Sequence, residues 1–452
     1  MAFRFSKTSI LLGASLWLRA LPCSAQMGLL PEGVGIFNYT RRSYITQTEQ
    51  YGDSTGSRTG LGHNFNTTFN GASMVSGASG AELKKLGDIL QKYDEGSAEG
   101  SRLLDTINLG SLRGRVTADV DADIYSIAYG VTSRWTGFIA IPRVSMATRT
   151  ELSFLRDPSG SAMAIKDSLG DFAFQELQDG LQRAANMSVS EVRQNITALG
   201  YKSPDRWSDT AFGDLRMGAQ TASGAFQQDA TGMAGFYRGL VIFPTGQEDD
   251  PDALTDIPTS TGCFGLNLNT MQVLKQAGGT WIGGSFEYQY NFPATVTRRV
   301  PEFEERSVDP ARKRDVLLTP GADLEVAVAA GYQGSIWQGS ARVGDKRHFT
   351  DRYSGSLEGN YTLLADESDT RLVYANASVG LSTTSLYQRG KFPYPMMVDV
   401  GYNHPVTGIH ATDDRFYSIS LTGFFTAGRS VASASPKPVR KQTKASAAPL
   451  RR

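Results

Sequence analysis

Four histidines, one run of acids and a set of alternating charges are the residues of this 452-residue chain whose types and spacing could do chemistry. Hydrolysis by a Ser-His or Asp-His pair needs a histidine beside a nucleophile or a carboxylate. His404 has Asp399 and Asn403 close in sequence, His348 is followed by Asp351, and His63 and His410 complete the set. None sits in a hydrolase motif, so they read as loop or rim histidines, and no catalytic residue is expected. Glu248, Asp249, Asp250 and Asp252 in QEDDPDALTD carry the oxygen donors of a Ca²⁺ loop but not the roughly twelve-residue spacing of an EF-hand. That run reads as a solvated loop, with no metal site and no cofactor. The sequence holds no Gly-rich phosphate loop, zinc spacing or nucleic-acid motif, and GADLEVAVAAG reads as a strand.

The alternating charges belong to strands. Ile282, Gly284, Phe286, Tyr288, Tyr290 and Phe292 fall on one face and Ser285, Glu287, Gln289 and Asn291 on the other, a period of two that no amphipathic helix has. The same rhythm runs through Leu324–Tyr332, Met396–Tyr402 and Tyr417–Phe425. Upstream, Leu112, Val116, Ala118, Val120, Ala122 and Ile124 alternate with Arg113, Arg115, Thr117, Asp119, Asp121 and Asp123. Twelve such segments start near Gly35, Leu112, Arg134, Phe212, Met233, Gly262, Trp281, Asp323, Ile336, Arg371, Tyr394 and Arg415. Short joins (128–134, 275–280, 333–335) alternate with long ones (46–108, 148–210, 246–261, 294–322, 350–370). A soluble sandwich has no reason for that rhythm, whereas a transmembrane barrel has short turns at one rim and long outer loops at the other.

The expectation is therefore an all-β fold: a transmembrane antiparallel β-barrel of about 12 strands, long enough to cross a bilayer at a tilt, with closure removing sticky edges. Leu83, Leu86, Ile89, Leu90 and Tyr93, and Ile165, Leu169, Phe172, Leu177 and Leu181, stand at helical spacing, so helical insertions are expected near 80–106 and 162–200 in two long extracellular loops. If the charged face of each strand points inward, the lumen is lined by Arg113, Arg115, Asp119, Asp121, Asp123, Asp214, Arg216, Arg238, Glu287, Glu325, Arg342 and Asp399. Those of opposite sign can pair across a narrow lumen, and the order along Arg113–Asp123 predicts a charge gradient along the pore. A wide water channel is not expected from twelve strands, a number between packed barrels of about 8 and porins of about 16 to 18.

Composition and ends agree with a secreted barrel. Aromatic residues are 10% and charged residues 20%, with 48 Gly and 2 Cys, which excludes collagen-like, disordered and disulfide-scaffold classes. Residues 1–25 read as a signal peptide: Arg4 and Lys7, the apolar run Ile10–Leu18, and small residues at Cys23 and Ala25. That apolar run is too short to span a bilayer as a helix. If it is cleaved, Cys263 is the one thiol left. Residues 427–452 form a basic tail without acids, expected to be disordered and to hang in the periplasm, placed for contact with the cell wall. The balance of 45 basic and 45 acidic residues is thus an average: the signal holds 3 basic residues and the tail 7, leaving the barrel near −10.

Tyr39–Gly60 (YTRRSYITQTEQYGDSTGSRTG), Tyr129–Pro142 (YGVTSRWTGFIAIP), Phe212–Gly218 (FGDLRMG) and Leu240–Gly246 (LVIFPTG) carry a resemblance. In order and spacing the chain resembles the outer-membrane transporters associated with the meta-cleavage pathway of phenol degradation, and more distantly the long-chain fatty-acid channels. The resemblance implies passage of aromatic or other apolar small molecules across the outer membrane. The partners expected are a small-molecule solute, outer-membrane lipid and lipopolysaccharide, and the barrel-assembly machinery reading the aromatic end Gly423-Phe424-Phe425; nucleic acid is not among them. The alternatives are a non-transporting structural outer-membrane protein and, behind it, an outer-membrane hydrolase.

Overall fold

A computed structural model of the protein describes residues 29–70, 108–155, 188–223, 231–302 and 308–426. Twelve wall positions follow one another in chain order: β1 (Val34–Tyr44), β2 (Asn108–Thr132), β3 (Trp135–Leu155), β4 in two pieces (Arg206–Phe212 and Leu215–Ser223), β5 (Gly232–Phe243), β6 (Gly265–Lys275), β7 (Thr280–Asn291), β8 (Asp323–Gln333), β9 (Trp337–His348), β10 (Thr370–Ser382), β11 (Met396–Ile409) and β12 (Phe416–Thr426). Each runs antiparallel to the next. β1 closes the circle, pairing with β12 from Val34↔Thr426 to Tyr44↔Phe416 and with β2 from Gly35↔Tyr129 to Ser43↔Asp121. The fold is a closed 12-strand antiparallel barrel, as the period-two rhythm requires.

Register makes the outer face apolar. Leu268 lies opposite Tyr288, and Thr270 opposite Phe286, while Phe286 in turn lies opposite Val326 and Tyr288 opposite Leu324. All of these side chains point away from the lumen, and Phe286, Tyr288, Val326, Val343, Val379, Val400 and Ile419 are exposed. Such a belt is unfavourable in water, where each Å² of apolar surface left uncovered forgoes about 25 cal/mol, and suits hydrocarbon. Rings gather at its two rims: Trp135, Tyr332 and Trp337 beside the short turns, and Tyr290 edge-on to Phe292 (5.0 Å between centroids) and Phe243 to Phe264 (5.6 Å) at the other end. These are interfacial positions, where an amphipathic ring keeps one side apolar and the other wet.

Short turns (133–134, 276–279, 334–336) collect at one end and the long loops at the other. Two connections break the rhythm expected from sequence. The join 410–415 at the loop end has only six residues, and 383–395 at the short-turn end holds a helical turn, Thr384–Gln388.

The loops fold over the mouth and pack on one another. Short strands Ala294–Arg299, Lys313–Thr319 and Arg352–Ser354 make a three-stranded sheet, whose Val296, Val300, Val316 and Leu318 are buried with Cys263. The helix α1 (Val189–Ala198) starts at a capping box between Ser188 and Glu191 and buries Val192 and Ile196. Arg299 ties these pieces together: it donates to the carbonyls of Leu199, Gly200 and Val308, pairs with Asp252 at 2.8 Å, and lies over the Tyr201 ring at 3.8 Å. α1 falls at the end of the insertion expected near 162–200. The helices expected over Leu83–Tyr93 and Ile165–Leu181 lie outside the described residues, as do the signal segment and the basic tail.

Candidate functional site: the lumen and its roofed mouth

Inward positions of the wall strands meet in three layers. Nearest the short turns, Ala234, Phe236, Val273, Trp281 and Ala329 form a buried apolar cluster, with Ala222 and Met271 packed on it. It covers one side of the lumen, β4 to β8. Trp281 lies flat because its neighbour is Gly331, where an added Cβ would come within 2.6 Å of the indole. The opposite wall is polar: Asn38 donates to Ser420 (3.0 Å) and Thr422 (2.8 Å), and Ser340 lies 2.8 Å from Ser378.

The middle layer is ionic. Glu287 accepts from Asn267 (2.8 Å) and Asn269 (3.0 Å) and faces Arg238 at 3.7 Å. Glu325 accepts from Arg342 and from the Tyr374 hydroxyl (2.8 Å), while Arg342 also reaches Ser285 (3.2 Å). Gln338 donates to Asp399 at 2.6 Å. A lone buried ion costs several kcal/mol, so these groups are tolerable only as a connected set.

Above it lies a cavity of about 80 Å³. Its floor includes Asp214, Arg216, Gln289 and Asn291, and its roof Thr259 and Tyr353 from the loops. His348 stands at its edge with Nδ1 2.9 Å from Asp323 and Nε2 3.0 Å from Asp351. Both ring nitrogens face carboxylates, which only the doubly protonated ring satisfies by donation. The histidine is a clamp between β9, β8 and the roof, with no nitrogen left to act as a base. Cys263 also lines this cavity, and burial pushes its thiol up to about 11, so it stays protonated and unreactive.

The structure sorts the residues expected to line the lumen. Arg216, Arg238, Glu287, Glu325, Arg342 and Asp399 point inward, and Asp214 sits at the break in β4, receiving the backbone N–H of Gly246 at 3.2 Å. Arg113, Arg115, Asp119, Asp121 and Asp123 do not point inward. Leu112, Val116, Ala118, Val120, Ala122 and Ile124 are the buried face of β2, and the charged face looks outward. Arg41 on the outside of β1 meets Asp121 (3.3 Å) and Asp123 (3.6 Å), so no charge gradient runs along the pore there. The reason is length. β2 has 25 residues and rises past the belt, where its apolar face turns to the folded loops: Gly114 lies against Phe65, and Thr148 on β3 donates to the carbonyl of Thr255.

Two further readings change. His404 points outward and stacks on Tyr402 (6.2 Å between centroids), whereas Asp399 and Asn403 point inward, because residues an odd number apart on a strand face opposite ways. The acid run is also no solvated loop. Asp249 pairs with Arg298 (3.4 Å), Asp250 with Lys202 (2.6 Å), and Asp252 with Arg299 and Lys313 (2.7 Å), all basic groups brought by other loops. Sequence reading missed Asn267, Tyr374, Gln338 and the Phe236–Trp281 cluster. Trp281 was legible, being opposite Ile282 in the alternation; Tyr374 was not, because a register shift in the β10–β11 pairing falls between Val373 and Tyr374.

No family model and no curated protein matches the chain. Among solved structures it is similar to the COG4313 outer membrane channel from Pseudomonas putida F1, at 8% identity, covering 90% of this chain and 100% of that one with a TM-score of 0.49. It is also similar to the CymD monoaromatic hydrocarbon channel (9% identity, 88% and 90% covered, TM-score 0.29) and to a Pseudomonas aeruginosa FadL homologue (10%, 87% and 90%, TM-score 0.27). Likenesses of this size carry no residue and no activity over to this chain.

Proposed function

We propose that this chain is an outer-membrane channel through which small, mainly apolar or aromatic solutes pass passively, entering under the loop roof and leaving at the short-turn end, which is the periplasmic one. The observation that carries this reading is the inward apolar cluster of Phe236, Trp281, Val273, Ala234 and Ala329. A lumen meant for ions gains nothing from large apolar side chains facing it, whereas a solute with a ring or alkyl body leaves water on meeting them. The closed, belted barrel, together with the signal-like character of residues 1–25, supports the outer membrane as its place.

The paired charges of the middle layer favour a second reading, a structural barrel that transports nothing, since Glu287 and Glu325 are engaged with neighbouring wall residues and not left for a solute. Flux separates the two. Purified protein in liposomes should admit an alkylbenzene or phenol faster than a sugar of similar mass. No flux of any solute, with the barrel folded by heat-dependent gel mobility, would establish the structural reading instead.

A further inference from the structure

The part of β2, β3 and β4 above the apolar belt presents an outer face crowded with arginine. At about 3.3 Å per residue, the 25 residues of β2 measure about 80 Å, and about 10 tilted residues suffice to cross the hydrocarbon. Below, the outward side chains Ile127 and Ile139 are exposed and apolar. Above, Arg113 and Arg115 on β2, Arg143 and Arg149 on β3 and Arg206 on β4 take over the same face, all exposed.

None of these five guanidiniums meets a side-chain partner among the described residues. Of the nearby carboxylates, Asp121 and Asp123 lie against Arg41, Asp123 also accepts from the Tyr39 hydroxyl at 2.7 Å, and Glu151 stands opposite Arg115 in register on the same outward face. Register places Arg149 directly opposite Arg206. Like charges opposite one another on a sheet repel, and among the described residues no salt bridge to either guanidinium offsets this pair. The chain without its signal and tail is acidic, near −10, so the concentration of free arginine on one outward face is local and directional.

We propose that this face binds the phosphate groups of the glycolipid head groups in the outer leaflet, with Arg149 and Arg206 sharing one phosphate. The inference rests on the outer-membrane reading given above. Guanidinium matches phosphate oxygens bidentately, and a multiply charged anion between two arginines turns their repulsion into attraction. The face continues the lipid-contacting belt upward, at the height where head groups replace acyl chains. The occupant is therefore a lipid already lying against the wall.

The test uses the full-length protein in mild detergent, incubated with lipopolysaccharide, with bound glycolipid read by native mass spectrometry. The R149Q/R206Q double variant should retain at least about tenfold less, the equivalent of losing about one charge-assisted hydrogen bond. R149K/R206K should keep part of the binding, and R134Q, altered in the exposed turn at the opposite end, should keep all of it. Glycolipid stripped of its phosphates should not be retained by the wild type. Equal retention by R149Q/R206Q and wild type, equal retention of the dephosphorylated lipid, or equal retention of phosphatidylglycerol would overturn the proposal. Membrane fractionation tests the location separately: a barrel found outside the outer membrane would refute that reading while leaving the arginine dependence measured on purified protein.

Discussion

Single residues in the lumen are held by their neighbours more than by solvent, and this gives the first expected outcome. Glu325→Ala leaves the half-buried Arg342 without its carboxylate and removes the acceptor of Tyr374. Breaking one side of such a pair costs about 3 to 5 kcal/mol. The variant should unfold at clearly lower denaturant or temperature by gel mobility, and unchanged stability would mean that water reaches the pair. A second outcome concerns pH. Burial works against ionised Asp252, but the hydrogen bonds and charges of Lys313 and Arg299 outweigh it and hold its carboxyl below the ordinary value of 3.8. A lowered carboxyl stabilises the folded loops above its unfolded value and loses that contribution as pH falls through the folded one. The protection of amides over 247–256, measured relative to their intrinsic exchange rates, should therefore fall only when pH drops below the ordinary carboxylate range, and lost protection already at pH 6 would contradict the assignment. At this scale alternation put Glu287, Glu325 and Asp399 on the polar faces of β7, β8 and β11, while their partners Asn267, Tyr374 and Gln338 come from register, which one strand's sequence does not contain.

Elements were legible wherever one solvent governs a whole strand. β7 lies within the belt, so its apolar side faces out along all of Thr280–Asn291. β2 passes through two surroundings, hydrocarbon around Ile127 and folded loops around Val116, and in the second the apolar side faces in. Alternation shows that a strand has two faces; it does not say which of them meets the lumen. Turn chemistry supplies a further outcome at this scale. Gly278 and Gly279, between β6 and β7, both have positive φ (82° and 88°). A Cβ on Gly278 meets nothing within 4 Å, whereas one on Gly279 would come within 2.4 Å of the Gln333 carbonyl. Gly278→Ala should cost only the left-handed strain, about 1 kcal/mol, and Gly279→Ala visibly more, because the neighbouring turn must move as well. Comparing their thermal midpoints checks the turn geometry, and equal midpoints would contradict it.

For the whole molecule, closure, belt and roof follow from twelve period-two segments with long joins at one end, and those were visible from composition and rhythm. The roof's ion pairs were not, because the acids lie in 248–256 and their basic partners at Lys202, Arg298, Arg299 and Lys313, joined only once the loops fold together. What the molecule does turns on the apolar side of its lumen, and the most direct measurement is solute selectivity in liposomes for the Phe236→Ser/Trp281→Ser double variant against the wild type. With the barrel confirmed as folded, the ratio of alkylbenzene to sugar flux should fall several-fold as the cluster of Phe236, Val273 and Trp281 loses its two rings. A ratio unchanged by the double substitution would contradict the account, because the apolar wall would then have no part in choosing what passes.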